Sequence, residues 1–461
     1  TKGQKRSLGK SINTYSAKTE GKKRMTELDL SQNGADSPED NDAVGRILNA
    51  YRSTNHSYAS VRGGQRFINW NAQPSSFKKY PKFYRRIGFD SLVSAVSFLP
   101  HIGSVNFEKK YGSDTYKLRY NPSAGALYPN EIYIQSRGIE GLEDGIYHYE
   151  VASSSLVFLA PVSAGFGLEF FCEDKKEVRG LLFVVSAAYF RSSWKYENRS
   201  IRYCFLDAGH ILGGIEAAVQ LSGEEALFDI SFARSSMDEF FGFENKEYTV
   251  AAAMVGKRVE RQIAKPPFVL PFVSPYDYFE QNLFVESFLD DESGQPSFDP
   301  QIYQYKTGLL STSLLSQRRS IRGYFGKTVS ADEYADILGV FSNKYMDVYS
   351  VVNLVDGAEQ GLYIGGKSIK TGDFSKKAGY LCLEQALGSD SAVTFFIAAK
   401  GGANIKNALL EAGLSAHRVY LVAQHLGIGV SGIGAYYDEE TAEFLGIDKN
   451  TAILYALSIG R

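Results

Sequence analysis

The chain is predicted to be an α+β protein built as a tandem duplication of one module, and three observations carry that prediction. The first is an internal repeat: "LDAGHILGGIEAAVQ" (206–220) matches "LEAGLSAHRVYLVAQ" (410–424), and "EFFGF" (239–243) matches "EFLGI" (443–447). Gly209 and Gly242 stand 33 positions apart, as do Gly413 and Gly446; Gly242 and Gly256 stand 14 apart, as do Gly446 and Gly460. Three glycines held in register without a gap mark two copies of one unit. The second is element order. In each copy an apolar strand ("LLFVVSAAYF", 181–190; "VTFFIAA", 393–399) leads into a helix with apolar residues at 3.6 spacing. A final strand ("TVAAAMVG", 249–256; "AILYALSIG", 452–460) closes each copy. The third is that helices and strands mix without regular βαβ alternation. Single modules that pair about a two-fold axis, once fused, give a pseudo-dimer within one chain.

Along the chain, residues 1–43 read as a disordered leader. Residues 1–24 hold eight Lys/Arg against the single acid Glu20, and residues 25–43 turn acidic, with little apolar periodicity in either stretch. Residues 44–262 form the first module. The Pro-punctuated segment 263–309, from "KPPFVLPFVSP" to "DDESGQPSFDP", reads as a long connector, and residues 310–461 form the second module.

Composition narrows the function classes. Of 461 residues, 44% are hydrophobic and 22% charged, and the formal net charge of −2 points to neither nucleic acid nor an acidic solvating protein. Three dispersed cysteines (Cys172, Cys204, Cys382), without CxxC or histidines at ligand spacing, read as free thiols in a reducing compartment rather than a zinc site. The longest apolar run, Leu181 to Phe190, is about half of what a membrane span needs. A cytoplasmic protein is the expectation.

The two copies differ where chemistry is expected. Only the first contains "YNPSAGALYPNEIY" (120–133) and "SSWKYENRS" (192–200); only the second opens with "SQRRSIRGYF" (316–325). Arg318 and Arg322 are spaced to share one helical face, and arginine forks around a hydroxyl, here Ser320, suit a phosphate. Small residues between prolines make either an ordinary turn or a place where backbone approaches a flat ligand closely.

"RRSIR", "PSAGALYP" before a strand and a terminal helix–turn–strand resemble the FMN-dependent nitroreductase superfamily. "NWNAQPSSFKKYP" (69–81), "RYNPSAGALYPNEIY" (119–133), "DGIYHYE" (144–150) and "KYENRSIRYCFLDAGH" (195–210) narrow the resemblance to the azoline oxidases. These include the SagB-type and cyanobactin-type dehydrogenases. The resemblance is dense over about 65–260 and thinner over 310–461. It implies nitroreductase-like modules clasping FMN between them. Arg318, Ser320 and Arg322 would hold the phosphate and ribityl chain, and Arg461 matches a C-terminal basic residue near the phosphate. Pro122, Ser123, Ala124, Gly125 and Ala126 would line the isoalloxazine. Lys195 and Tyr196 match a Lys-Tyr pair that acts catalytically, with a ring proton removed, hydride passing to flavin N5 and O₂ as final acceptor. The mirror-image site lacks both motifs, so one FMN per chain is expected.

The resemblance implies oxidation of thiazoline or oxazoline rings, on a peptide or a carrier, to thiazole or oxazole. A cyclodehydratase or other maturation complex would be a partner, and further homodimerisation is left open. Two other readings compete: an NAD(P)H-dependent flavin reductase or nitroreductase, and a non-catalytic scaffold in a peptide-maturation complex. "GIGVSG" (427–432) fits a dinucleotide pattern but follows a helix, which argues against that use. His210, His417, Asp207 and Glu411 read as structural helix residues. Arg119 reads equally as a ligand contact or a strand-edge ion pair, and Trp70 as a site wall or a packing residue.

Overall fold

The computed structural model describes residues 43–64, 67–111, 114–163, 165–292 and 298–461; the expected leader lies almost wholly outside the described residues. Strands β1 (Arg86–Gly88), β2 (Val105–Tyr111), β3 (Asp114–Arg119), β4 (Asn130–Arg137), β5 (Gly145–Glu150), β6 (Ser155–Pro161), β7 (Lys176–Ala187), β8 (Ala226–Leu227) and β9 (Tyr248–Gln262) belong to the first half. Strands β10 (Met346–Val352), β11 (Gly361–Ile364), β12 (Lys367–Thr371), β13 (Val393–Ala399), β14 (Gly429–Ile433) and β15 (Ile453–Gly460) belong to the second.

The first sheet runs β1-β6-β5-β4-β7-β9-β8 and the second β12-β11-β10-β13-β15-β14. Apart from β1, the second sheet repeats the strand order of the first position by position. Both sheets are antiparallel throughout. β2 and β3 form a separate hairpin that leads into the segment before β4. The central strands β7 and β13 carry apolar runs because they are buried along most of their length, while β4 is buried throughout and takes its polar residues in with it.

Between the sheets lie two long helices, Ser200–Leu221 and Ile405–His425, with nearly every residue of both buried. Helices covered on all sides take their polar residues into the interior as well, where those groups need partners. They cross at Gly209 and Gly413. A Cβ on Gly209 would come within 2.8 Å of Gly413 Cα and collide with the Leu410 carbonyl. A Cβ on Gly413 would come within 2.9 Å of Gly209 Cα and collide with the Leu206 carbonyl. The contact is reciprocal, with paired residues 204 positions apart in each case, as self-complementary two-fold contacts are. Glycine is needed because backbone meets backbone here. Away from the crossing, Glu216 accepts two hydrogen bonds from Arg418, at 2.6 and 2.7 Å, with both side chains buried. Asp438 accepts from both Arg202 (2.6 Å) and Arg199 (2.9 Å), which ties the two halves together again.

Two sequence expectations are corrected. The strand expected over 181–190 ends at Ala187, and Phe190 starts a short helix, Phe190–Tyr196, with Arg191 buried in it. The helical face expected for Arg318 and Arg322 does not form. Helix Thr312–Gln317 ends before Arg318, whose φ of −55° and ψ of 127° are extended. The segment after it bonds elsewhere: Ile321 N donates to Val430 O (3.0 Å) and Phe325 N to Arg461 O (2.7 Å). Backbone groups that find partners on β14 and the chain end have no need of their own helix. Within 263–309 the chain forms a helix, Leu283–Asp290, that buries Val285, Phe288 and Leu289. Among the described residues, no helix is long and apolar enough to cross a membrane, and no group of three or more His, Cys, Asp or Glu is placed to hold a metal ion.

Candidate active site

The stretch 120–129 joins β3 to β4 as a turn with unusual backbone. Gly125 (φ 64°), Ala126 (φ 56°) and Tyr128 (φ 48°) all lie in the left-handed region. For the two residues with side chains this costs about 1–2 kcal/mol each, so the surroundings must hold them there. Ser123 does much of this, since its Oγ accepts from Tyr128 N (2.9 Å) and donates to Asp207 Oδ2 (2.6 Å). Ala124 N adds a longer bond to Asp207 Oδ1 (3.4 Å). Tyr128 is anchored at both ends: its hydroxyl accepts from Arg119 N (2.9 Å), and its carbonyl accepts from the buried Arg191 (2.9 Å). Pro122 is buried while Gly125 is exposed, so a buried base carries an open tip.

Lys195 and Tyr196 arrive at this tip from the last turn of helix Phe190–Tyr196. That helix stops because Glu197 turns to φ 49°, ψ −133°, after which the long helix Ser200–Leu221 starts in a new direction. An ideal Cβ on Gly125 would lie 2.5 Å from Tyr196 Oη and 3.1 Å from Lys195 Nζ. The small residue therefore lets these two groups close on the turn. Lys195 is half-buried, with its Nζ 5.1 Å from the centre of the Trp70 ring and 5.1 Å from that of Tyr196. Burial lowers its pKa from the ordinary lysine value. Burial, with Tyr203 and Asp207 nearby, raises that of Tyr196 far above the usual phenol, so Tyr196 keeps its proton. A lysine eased toward its neutral form beside a protonated phenol is a base next to a hydrogen-bond donor. Trp70 is 56% exposed and meets Trp194 edge-on at 5.7 Å, so it walls the lysine from the solvent side.

From the second half, Arg318 reaches the base of the same turn. Its Nε donates to Tyr120 O and its Nη2 to Arg119 O (3.3 Å), directly ahead of Pro122. The guanidinium lies 5.1 Å from the centre of the Tyr420 ring. Its Nη1 is buried without a hydrogen-bond partner among the described residues, and such an orphan costs about 1–3 kcal/mol. Ser320 shares a hydrogen bond with Tyr420 Oη (2.7 Å), which also accepts from Gly432 N (2.8 Å). Arg322 is exposed. Arg461 directs its guanidinium to Glu333 in a two-pronged ion pair (2.5 and 3.0 Å) and to the Leu426 carbonyl (2.9 Å). The structure thus brings Pro122–Ala126, Lys195, Tyr196 and Arg318 together, sets Ser320 close behind Arg318, and engages Arg461 elsewhere.

The strand-edge ion pair considered for Arg119 is not what forms. Arg119 is buried; it donates to the Ser76 carbonyl and lies over the rings of Tyr128 (4.6 Å) and Phe77 (5.1 Å). His210 Nε2 meets Tyr455 Oη (3.2 Å), while its Nδ1 is buried without a partner, so it is only half satisfied. Sequence reasoning missed two contributors, Tyr203 and the loop-holding role of Asp207. Tyr203 packs on Tyr196 (4.6 Å between ring centres) and donates to Gly434 O (3.0 Å). Their spacing, 203 and 207 on one helical face, was the available signal.

The fold and the site can now be set beside known proteins. Residues 362–461 match the nitroreductase family. A candidate nitroreductase of Methanocaldococcus jannaschii is 27% identical over 153 residues, which is 32% of this chain and 76% of that protein. The crystal structure of a candidate nitroreductase from Anabaena variabilis overlays with a TM-score of 0.73 at 23% identity, covering 90% of this chain and 99% of that one. That likeness shows the fold. The family match itself begins in β11 and leaves Arg318, Lys195 and the turn at Gly125 outside it.

Proposed function

We propose that this chain is an FMN-dependent oxidase that converts thiazoline or oxazoline rings of a peptide to thiazole or oxazole. The nitroreductase match supports a flavin-dependent oxidoreductase in general terms; the ring chemistry is our reading. The observation that carries it is the meeting, at one turn, of Arg318 from the second half with Lys195 and Tyr196 from the first. The two halves then act as a fused pseudo-dimer with one composite site.

The residues present suit FMN. A buried arginine nitrogen without a partner is the donor a phosphate would satisfy, with Ser320 and the exposed Arg322 at hand for the ribityl chain. Gly125, open at the tip and without a Cβ, lets backbone approach a ring edge. Bound FMN would take up the hydride and return the electrons to O₂. The protein's own part is to place the ring and move the proton. Lys195, with its lowered pKa, takes the acidic ring proton, while the Tyr196 hydroxyl orients the ring heteroatom by donating to it. Trp70 screens the lysine from water.

The test is to quantify released flavin per chain and then assay Lys195→Ala on a thiazoline-containing peptide. We expect one FMN per chain and a loss of about 10²–10⁴-fold in turnover with flavin retained. Parental turnover in that variant would remove Lys195 from the mechanism. A second reading, an NAD(P)H-dependent nitroreductase, draws on the same family match; rapid bleaching of the flavin by NADPH would favour it. A chain with no flavin would favour a scaffold.

A further inference from the structure

We propose that Asp207 is a positioning residue of this site: its carboxyl group clamps the Ser123–Ala124 turn and so holds Gly125 against Lys195 and Tyr196. The proposal rests on the reading of that turn as part of the active site. Asp207 is 3% exposed. Ser123 Oγ and Ala124 N both donate to it, at 2.6 and 3.4 Å. No arginine or lysine pairs with it among the described residues, unlike Asp438, Glu131 or Glu216, which all face arginines. An acid buried without a cation is costly to keep, and burial pushes its pKa up to about 7. What it gains in return is the turn.

The turn needs holding. Ala126 and Tyr128 are left-handed, and the hydroxyl that captures Tyr128 N is the one Asp207 captures. Releasing Ser123 would free it to rotate away, and with it the bond that fixes Tyr128 N. The tip at 123–126 would then loosen, while Arg119 N and Arg191 still hold Tyr128. Lys195 and Tyr196 sit on the helix that Arg191 ties to Glu131 (2.6 Å) and to the Pro275 carbonyl (3.1 Å) as well as to Tyr128 O (2.9 Å), so that helix keeps two anchors outside the turn when the tip loosens.

The second half uses the same device for a different end. Glu411, 204 positions after Asp207, accepts from Ser342 Oγ, from Lys344 N (3.3 Å) and from Tyr345 N (2.7 Å). That turn only leads into β10. An acid at this helix position is thus a general turn-holder of the module, and in the first half the turn it holds has Lys195 and Tyr196 beside it.

The test compares Asp207→Ala, Asp207→Asn and Ser123→Ala in the full chain, purified with its flavin. Amide hydrogen exchange is followed by peptide, released FMN is quantified, and turnover on a thiazoline peptide is measured. Asp207→Ala and Ser123→Ala should each speed exchange at 123–128 at least tenfold, with the two long helices unchanged. The turnover number should fall tenfold or more at unchanged KM and unchanged FMN content. Asp207→Asn, which keeps one oxygen to accept from Ser123, should recover part of both. Parental exchange at 123–128 in both alanine variants would overturn the proposal, as would faster exchange spread through both long helices. Loss of turnover without local loosening would overturn it too. If the chain carries no flavin, the functional reading fails while the exchange data still decide the clamp, and Ser123→Ala serves if Asp207→Ala does not fold.

Discussion

Replacing Gly125 by alanine puts a methyl carbon 2.5 Å from Tyr196 Oη, 3.1 Å from Lys195 Nζ and 3.4 Å from Tyr196 Cζ. A carbon–oxygen contact settles near 3.3 Å, so the phenol must withdraw by about 0.8 Å or the turn must rise by as much. The left-handed φ of 64° adds about 1–2 kcal/mol for any residue with a Cβ. The tip is exposed and Tyr196 is only partly buried, so the body of the protein has no need to move. The unfolding temperature should therefore fall by only about 1–2 °C. Catalysis should respond far more, because a displacement near 1 Å between groups that must meet in the transition state costs about 100-fold. The assay is turnover on a thiazoline peptide, with released FMN and the thermal midpoint measured on the same preparation. A Gly125→Ala protein with parental turnover and full flavin would refute the claim that this glycine exists to let Lys195 and Tyr196 close on the turn. A protein that lost its flavin altogether would mean that the approach of this backbone to the flavin, rather than to Lys195 and Tyr196, is what requires glycine.

Other outcomes follow from the same geometry. Because burial lowers the pKa of Lys195, kcat/KM should rise with pH through a limb below the ordinary lysine value of 10.5, and that limb should vanish in Lys195→Ala. Asp207 has a folded pKa raised from 3.8 to about 7, so its contribution to stability is complete below 3.8 and lost as pH rises through about 7. Urea unfolding at several pH values should show Asp207→Asn gaining on the parent by about 4 kcal/mol between pH 4 and 8, and a flat difference would contradict an isolated buried acid. Gly209→Ala or Gly413→Ala forces two backbones apart at the helix crossing and should cost about 3 kcal/mol, read as a thermal midpoint lower by about 3 °C. A midpoint unchanged in both variants would mean that the helices do not cross there.

How much of this was legible in the sequence depends on the range of the interaction. The repeat, the paired glycines and most strand positions are local patterns, and "VTFFIAA" became β13 because an apolar run of that length needs cover on both faces. The spacing of Arg318 and Arg322 was also local, yet it misled. A period of four reports a helix only if the backbone bonds to itself, and here Ile321 bonds to Val430 instead. Arg119 misled for a similar reason: nothing in its neighbours along the chain reveals that Phe77 and Tyr128 will enclose it.

The sequence by itself showed an internal repeat with three glycines in register, and that "PSAGA" and "SSWKYENRS" occur in one copy of it while "RRSIR" occurs in the other. Those are properties of composition and spacing, which survive without coordinates. Only the tertiary structure decided that Gly125 faces Lys195 and Tyr196, that Arg318 reaches the carbonyls ahead of Pro122, and that Asp207 grips Ser123 from 84 residues away. The physical reason is that a buried acid, an orphaned guanidinium nitrogen and a left-handed turn are each costly alone. The fold makes the acid and the turn tolerable by bringing their partners from distant parts of the chain, and a spacing rule cannot see a partner that is near only in space.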